Sequence, residues 1–259
     1  ENNLLEGSFT SDRIDLLKLL SSHIAISIDN ARLYEGSLQL NESYERFVPR
    51  DFLNLLGKDS IIDVSLGDHI EKKMSILFTD IRNFTALSEK MTPDENFTFI
   101  NTILNVIAPI IRKYHGFIDK YVGDAIMALY PESADDAVQC ALEMQRALKE
   151  YNQKHNMIEP IRIGIGINTG LLMLGTVGEE QRLGATVISD AVNIASRVES
   201  LTREYGVDIL ITEETYTSLE FPDAYHVEKM VNTLVKGKLK TITVYKVSDS
   251  NNASYTPRD

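Results

Sequence analysis

Apolar residues near the start of the chain fall at helical spacing. Ile14, Leu17, Ser21, Ile24, Ile28 and Ala31 step by 3, 4, 3, 4 and 3, a heptad seam with one polar interruption. A second stripe, Leu16, Leu19, Ile26, Leu33 and Leu40, widens that face. The pattern predicts one helix from residue 11 to about 46, with Ser11 and Asp12 as candidate N-caps because their side-chain oxygens accept from first-turn N–H groups. No strand precedes it. A parallel dimer seam, or the edge of a further domain, therefore accounts for so broad an apolar face better than packing on its own domain does. Residues 47–72 read as a linker, punctuated by Pro49, Gly57 and Gly67, with a short helix at 50–56.

From residue 73 the pattern changes, and a domain is expected over 73–247. "MSILFTDI" reads as a strand. "TPDENFTFINTILNVIAPIIRKYH" reads as a helix opened by a capping box, with Thr92 at the N-cap, Pro93 at N1 and Glu95 at N3. Pro109 should bend or break it. "GFIDKYV" and "AIMALY" form a hairpin, and "ADDAVQCALEMQRALKEYNQKH" a second helix. "IRIGIGINTG" is a strand, followed by "LLMLGTVG" as a further one. A helix at 190–205, "VDILIT", a short helix, "AYHVEKM" and "TITVYKV" complete the series, and a disordered polar tail is expected over 248–259. The expected fold class is α+β. It has a ferredoxin-like βαββαβ core with helices on one face, extra C-terminal strands and helices, and a long N-terminal helix before it.

Composition narrows the function. The net charge of −12 argues against nonspecific nucleic-acid binding, which depends on Lys and Arg neutralising phosphates. The one cysteine, Cys140, lies among apolar residues on an expected helix, so no disulfide framework exists and a reducing, cytoplasmic setting fits. No apolar run reaches the length of a membrane span and no signal peptide is evident. The first residue is Glu, so the chain reads as part of something longer, and a membrane anchor outside it stays open.

The chemistry-bearing residues come together through topology. Asp80 closes the first strand, and Asp124 stands in the hairpin turn. In a βαββαβ sheet those two places share an edge, so two carboxylates distant in sequence meet. Like charges at one site repel unless a proton or a cation intervenes, and hard divalent cations suit such oxygen ligands. Singly, each acid is more often a cap or a turn residue; jointly they favour metal binding. A helix starting in "RNFTALSE" would offer free N–H groups to an anion beside the metals. Asn193 and Arg197, four apart on one helix face, suit a sugar oxygen and a phosphate charge. The turn itself requires Gly123 but not Lys120.

These segments resemble a known family. "FTDIRNFT", "DKYVGDAIMA", "NTG…GTVG", "TVISDAVNIASR" and "VKGK" are similar to the motifs of class III nucleotidyl cyclase catalytic domains, over residues 73–247. The resemblance implies conversion of ATP or GTP to a 3′,5′-cyclic monophosphate and pyrophosphate, with two Mg²⁺ or Mn²⁺ ions. It implies that Asp80 and Asp124 bind the metals and that Ile81 lends a backbone carbonyl. Phe84 and Thr85 would offer N–H groups to the phosphates. Lys120, with Thr186, would select the purine, Asn193 would orient the ribose, and Arg197 would stabilise the transition state. Lys236 and Arg182 would contact phosphates. An ammonium at Lys120 can donate to adenine N1, whereas guanine N1 carries a proton, so ATP is the expected substrate. Thr186 resembles the subgroup stimulated by bicarbonate. The family's active sites are shared between two chains, so a homodimer is implied. Residues 1–46 look like the closing helix of a GAF sensory domain, and 47–72 like a cyclase-transducing linker. Asn83 and Ser189 stand where glycine is frequent in the family, and "LGAT" replaces an acidic-aromatic pair. A guanylyl cyclase and a catalytically inactive nucleotide-binding dimerisation module are the alternatives.

Overall fold

The computed structural model describes residues 10–179, 182–230, 233–234 and 241–249. The chain divides into two compact units, Glu1–Arg50 and Asp51–Asp259. The first is essentially one helix, α1 (Ser11–Glu45). Its N-cap is Thr10, so Ser11 and Asp12 lie inside the helix rather than capping it, and Asp12 acts on the helix dipole from the first turn. None of its residues is buried, and Leu16, Leu19, Ile24, Ile26 and Leu33 all stand open.

The second unit begins with α2 (Arg50–Leu55), which buries Phe52 and Leu53. There follow β1 (His69–Ile81), α3 (Phe84–Ser88), α4 (Pro93–Lys113), β2 (Phe117–Val122), β3 (Ala125–Tyr130) and α5 (Ala134–Lys154). Then come β4 (Ile163–Glu179), β5 (Arg182–Ile188), α6 (Asp190–Glu204), β6 (Ile209–Thr212), α7 (Glu213–Tyr216), β7 (Tyr225–Lys229), β8 (Thr233–Leu234), β9 (Thr241–Ile242) and β10 (Val244–Asp249). The main sheet runs β2-β3-β1-β4-β6-β10-β7, with β5 paired to β4. Its first four strands, all antiparallel neighbours, carry the ferredoxin-like order the sequence predicts. β6 joins β4 in parallel.

Local chemistry sets the helix starts. Thr92 Oγ1 accepts from the Glu95 N–H while the Glu95 carboxylate accepts from the Thr92 N–H at 2.8 Å, completing the expected capping box. Pro109 does not end α4, which runs through it to Lys113. Cys140 is fully buried on α5, as its apolar neighbours indicate.

Four expectations change. The helices do not share one face of the sheet. Ile163, Ile165 and Ile167 of β4 join the core formed with Ile103, Ile107 and Ile111 of α4 and Ala141 and Met144 of α5. Successive strand residues alternate in face, so Gly164 and Gly166 turn to the other side, against α6. There Val198 and Leu201 pack with Leu210 and Val244. A Cβ at Gly166 would lie 2.1 Å from the Glu199 nitrogen, which is why this strand alternates Ile with Gly. "LLMLGTVG" is not a separate strand but the second half of β4, and it pairs with β5, which the sequence reading did not single out. β1 begins at His69, inside the expected linker. β10 continues through Asp249, past the expected start of the tail, and the rest of that tail lies outside the described residues. Among the described residues no helix is long and apolar enough to cross a membrane.

Candidate active site

β1 and β3 run antiparallel, with Thr79 opposite Ile126. The end of β1 therefore meets the start of β3, and Asp80 faces Asp124. Gly123, at φ +64, makes the left-handed turn that presents Asp124 there. Burial, a hydrogen bond to Asp80 and the Asp80 charge push the Asp124 carboxyl up to about 6, while the N–H groups of Asp124 and Ile81 pull it back. Below about pH 6 the two carboxylates thus share a proton when no cation neutralises them. Two converging carboxylates form a hard-oxygen donor pair, which fits Mg²⁺ or Mn²⁺. No group of three or more His, Cys, Asp or Glu forms a metal cluster among the described residues, so the pair is the whole of the side-chain set.

The chain turns sharply just beyond Ile81. Asn83 adopts the left-handed conformation at φ 59, a shape asparagine tolerates, and so replaces the glycine frequent there. Its side chain makes no cap bond, leaving the first N–H groups of α3, those of Phe84 and Thr85, uncapped by it. A cleft of about 540 Å³ bordered by Ile81, Arg82, Asn83 and Lys90 lies against this loop. A larger one, about 660 Å³, lies between α5 and the 156–162 segment and contains none of the expected site residues.

α6 is fixed at its start by Ser189, whose Oγ accepts from the Ala191 N–H at 3.0 Å and donates to the Leu171 carbonyl at 2.7 Å. Asn193 is exposed on this helix and Arg197 half-buried. Thr186 is half-buried on β5 opposite Gly175, and Arg182 is exposed at the start of that strand, opposite Glu179. Lys120 reaches outward from β2. Lys236 lies outside the described residues. The chain therefore brings Asp80, Ile81, Asp124, Phe84 and Thr85 to one corner. Among the described residues, no hydrogen bond or ion pair joins Lys120, Thr186, Asn193 or Arg197 to either aspartate.

Three residues behind Asp80 escaped the sequence reading. Arg82 donates to the Thr202 hydroxyl and to the Val207 carbonyl at 2.9 Å. Arg203 Nη2 approaches Asp80 Oδ2 at 3.5 Å. Glu199 is buried; burial and the Asp80 charge push its carboxyl up to about 7, with Arg82 and Arg203 opposing. An acid between Val198 and the apolar contacts of Leu201 was the available signal.

Comparison with known proteins agrees with this geometry. Residues 68–248 match the family model described as the adenylate and guanylate cyclase catalytic domain. An adenylate cyclase of Anabaena cylindrica is 42% identical over 214 residues, covering 80% of this chain and 43% of that protein. The terminal-differentiation-specific adenylate cyclase of Dictyostelium discoideum is 40% identical over 216 residues, covering 81% of this chain and 10% of that protein. The chain thus spans less than half the length of these curated relatives. The crystal structure of the adenylyl cyclase CyaB from P. aeruginosa superposes with a TM-score of 0.64 at 32% identity, covering 72% of this chain and 99% of that one. With the paired aspartates where the sheet topology brings them, and a family match over most of the chain, this protein belongs to the adenylate and guanylate cyclase catalytic-domain family.

Proposed function

We propose that this protein is an adenylyl cyclase, converting ATP to 3′,5′-cyclic AMP and pyrophosphate. The observation that carries the reading is the meeting of Asp80 and Asp124 at the end of β1, close enough to share a proton. The preference for ATP rests on Lys120, an ammonium where a guanine-reading site would need an acceptor.

Asp80, Asp124 and the Ile81 carbonyl would hold two divalent cations, Mg²⁺ or Mn²⁺. Bound there, the cations would acidify the ribose 3′-hydroxyl and neutralise phosphate charge. The bond from the 3′-oxygen to the α-phosphorus forms as the bond to the bridging oxygen of pyrophosphate breaks, and the 3′-hydroxyl proton passes to water or to the substrate's phosphate. Arg197 stabilises charge developing on the α-phosphate, and Asn193 aligns the ribose. The Phe84 and Thr85 N–H groups, Lys236 and Arg182 bind the outgoing phosphates. Lys120 and Thr186 read the purine edge.

In this reading the acids of one chain work with Lys120, Thr186, Asn193 and Arg197 of a second copy, giving two equivalent sites per homodimer. The absence of an in-chain contact between the two sets supports it. So does the apolar surface left open on the sheet, where Leu171 is 57% exposed and Ile188 60%. α1, with its open apolar stripe, serves as a parallel dimerisation helix receiving a signal from an upstream sensory domain of the GAF type. Thr186 makes bicarbonate a candidate regulator. The single buried thiol of Cys140 suits the cytoplasm.

The test supplies ATP and GTP in parallel to the purified protein with Mn²⁺. Wild type should form cyclic AMP, and Asp80→Ala and Arg197→Ala homodimers should each lose at least about 10²-fold in rate. Mixing the two inactive variants should restore activity at one site per heterodimer. Cyclic GMP as main product would overturn the substrate assignment, and failure of the mixture to recover would overturn the shared site.

A further inference from the structure

β2 is irregular at one point. Ile118 pairs with Ala128 and Lys120 with Met127, so Asp119 is an extra residue with no opposite number, a β-bulge. On a regular strand, neighbouring side chains point to opposite faces. The bulge brings two neighbours together instead, and Lys120 Nζ stands 3.2 Å from Asp119 Oδ2. Their surroundings differ sharply. The Asp119 side chain is 3% exposed and that of Lys120 is 40% exposed. The contact is an ion pair without the alignment of a full hydrogen bond, so the enclosed Oδ2 has no aligned donor among the described residues. Burial holds the Asp119 carboxyl above its ordinary range, and the Lys120 charge pulls it back.

A hairpin has no use for such an acid. The position is buried at a sheet edge next to Ile118, where an apolar residue would cost nothing in desolvation, and a buried carboxylate is unfavourable unless it is paired. A plain structural role, holding the bulge, would have the enclosed Oδ2 accept from a backbone N–H, and it accepts from none among the described residues. What the acid does have is one cation, on the residue that the proposed function assigns to base selection.

We propose that Asp119 is a specificity-positioning residue: it anchors one side of the Lys120 ammonium and so aims the remaining N–H donors at the purine edge. The inference rests on the reading of Lys120 as the base-selecting residue. A free lysine samples many rotamers, and tethering its head group from beneath removes part of that freedom before substrate arrives. An ammonium has three N–H donors, and an ion pair that holds one side of the head group leaves the other side free to donate to the base. An ammonium is purely a donor, which matches adenine N1 and opposes guanine N1–H.

The experiment compares kcat/KM for ATP and GTP with Mn²⁺ in wild type, Asp119→Asn, Lys120→Met and the double variant. Asp119→Asn should narrow the ATP preference several-fold, the scale of one partly exposed ion pair, chiefly through KM for ATP. It should leave Mn²⁺ half-saturation unchanged, and it should add nothing in the Lys120→Met background. A preference kept in Asp119→Asn but lost in Lys120→Met overturns the role of Asp119 and leaves the Lys120 reading standing. A preference kept in Lys120→Met overturns both. If Asp119→Asn does not fold, Asp119→Glu decides, because it keeps the charge but displaces it by one methylene. A reduced preference in that variant supports the positioning role, and an unchanged preference refutes it.

Discussion

Replacing Asp124 by asparagine should abolish cyclase activity and yet make the metal-free protein more stable. In the folded chain burial and Asp80 push the Asp124 carboxyl up to about 6, against 3.8 for an ordinary aspartate. A carboxyl raised on folding lends stability only while protonated. That stability is complete below about pH 4, is lost as pH rises through about 6, and is gone at pH 8. At ~1.4 kcal/mol per pH unit the interval bounds the effect at about 3 kcal/mol, and the site's partial opening to solvent reduces it to about 1 kcal/mol. Asparagine keeps an acceptor for the Ile81 N–H and gains a donor toward Asp80, so the like-charge repulsion disappears at little steric cost. For a folded unit of this size, about 1 kcal/mol raises the melting temperature by roughly 2–4 °C. The assay is thermal unfolding at pH 8 in a chelator, repeated at pH 4.5, where the difference should shrink. Saturating Mn²⁺ should reverse the order, since only wild type gains RT ln(1 + [L]/Kd), about 2.7 kcal/mol at a hundred times Kd. A variant less stable than wild type at pH 8 in chelator would refute the view that the two carboxylates oppose one another.

Three further outcomes follow from α6 and its surroundings. Gly166→Ala places a Cβ 2.1 Å from the Glu199 nitrogen, so helix and sheet must separate, costing about 1–3 kcal/mol by thermal melt and lowering kcat through Asn193 and Arg197. Ser189→Ala removes the acceptor for the Ala191 N–H and the donor to the Leu171 carbonyl, with an expected loss of about 1 kcal/mol in urea unfolding. Glu199→Gln should flatten the fall in stability between about pH 4.5 and 7, because the raised carboxyl of Glu199 loses its contribution over that interval; urea midpoints at pH 5 and pH 8 measure it.

Some local signals in the sequence were read correctly and others were not: Thr10 rather than Ser11 or Asp12 caps α1, and α4 runs through Pro109. The capping box of Thr92 and Glu95 depends on four consecutive residues and was legible in full. The βαββαβ order follows from periodicity and so placed Asp80 and Asp124 together before any coordinates. The run I-G-I-G-I in β4 held more than was taken from it. Each glycine faces away from its isoleucines, and that second face has to receive something close, here α6. β5 was lost because its exposed, glycine-containing segment lacks the apolar alternation of a half-buried strand. The bulge at Asp119 adds one residue to one strand, and nothing in composition marks it.

The positions of these surprises bear on how the site works. α6 carries Asn193 and Arg197 and is held by three separate attachments. Ser189 ties its start to β4, the glycines of β4 admit its middle, and Arg203 near its end reaches Asp80. β1, bearing Asp80, and α6, bearing Asn193 and Arg197, are therefore tied within one chain, although in the proposed shared-site dimer they would serve different sites. A displacement of α6 would then alter the carboxylate of one site and the arginine of the other together. Asp124, Glu199 and Asp119 are each held above their ordinary range, chiefly by burial. Asp124 and Glu199 both feel the Asp80 charge, and raised carboxyls gathered about one strand end are what a site selected for charge placement rather than for stability requires.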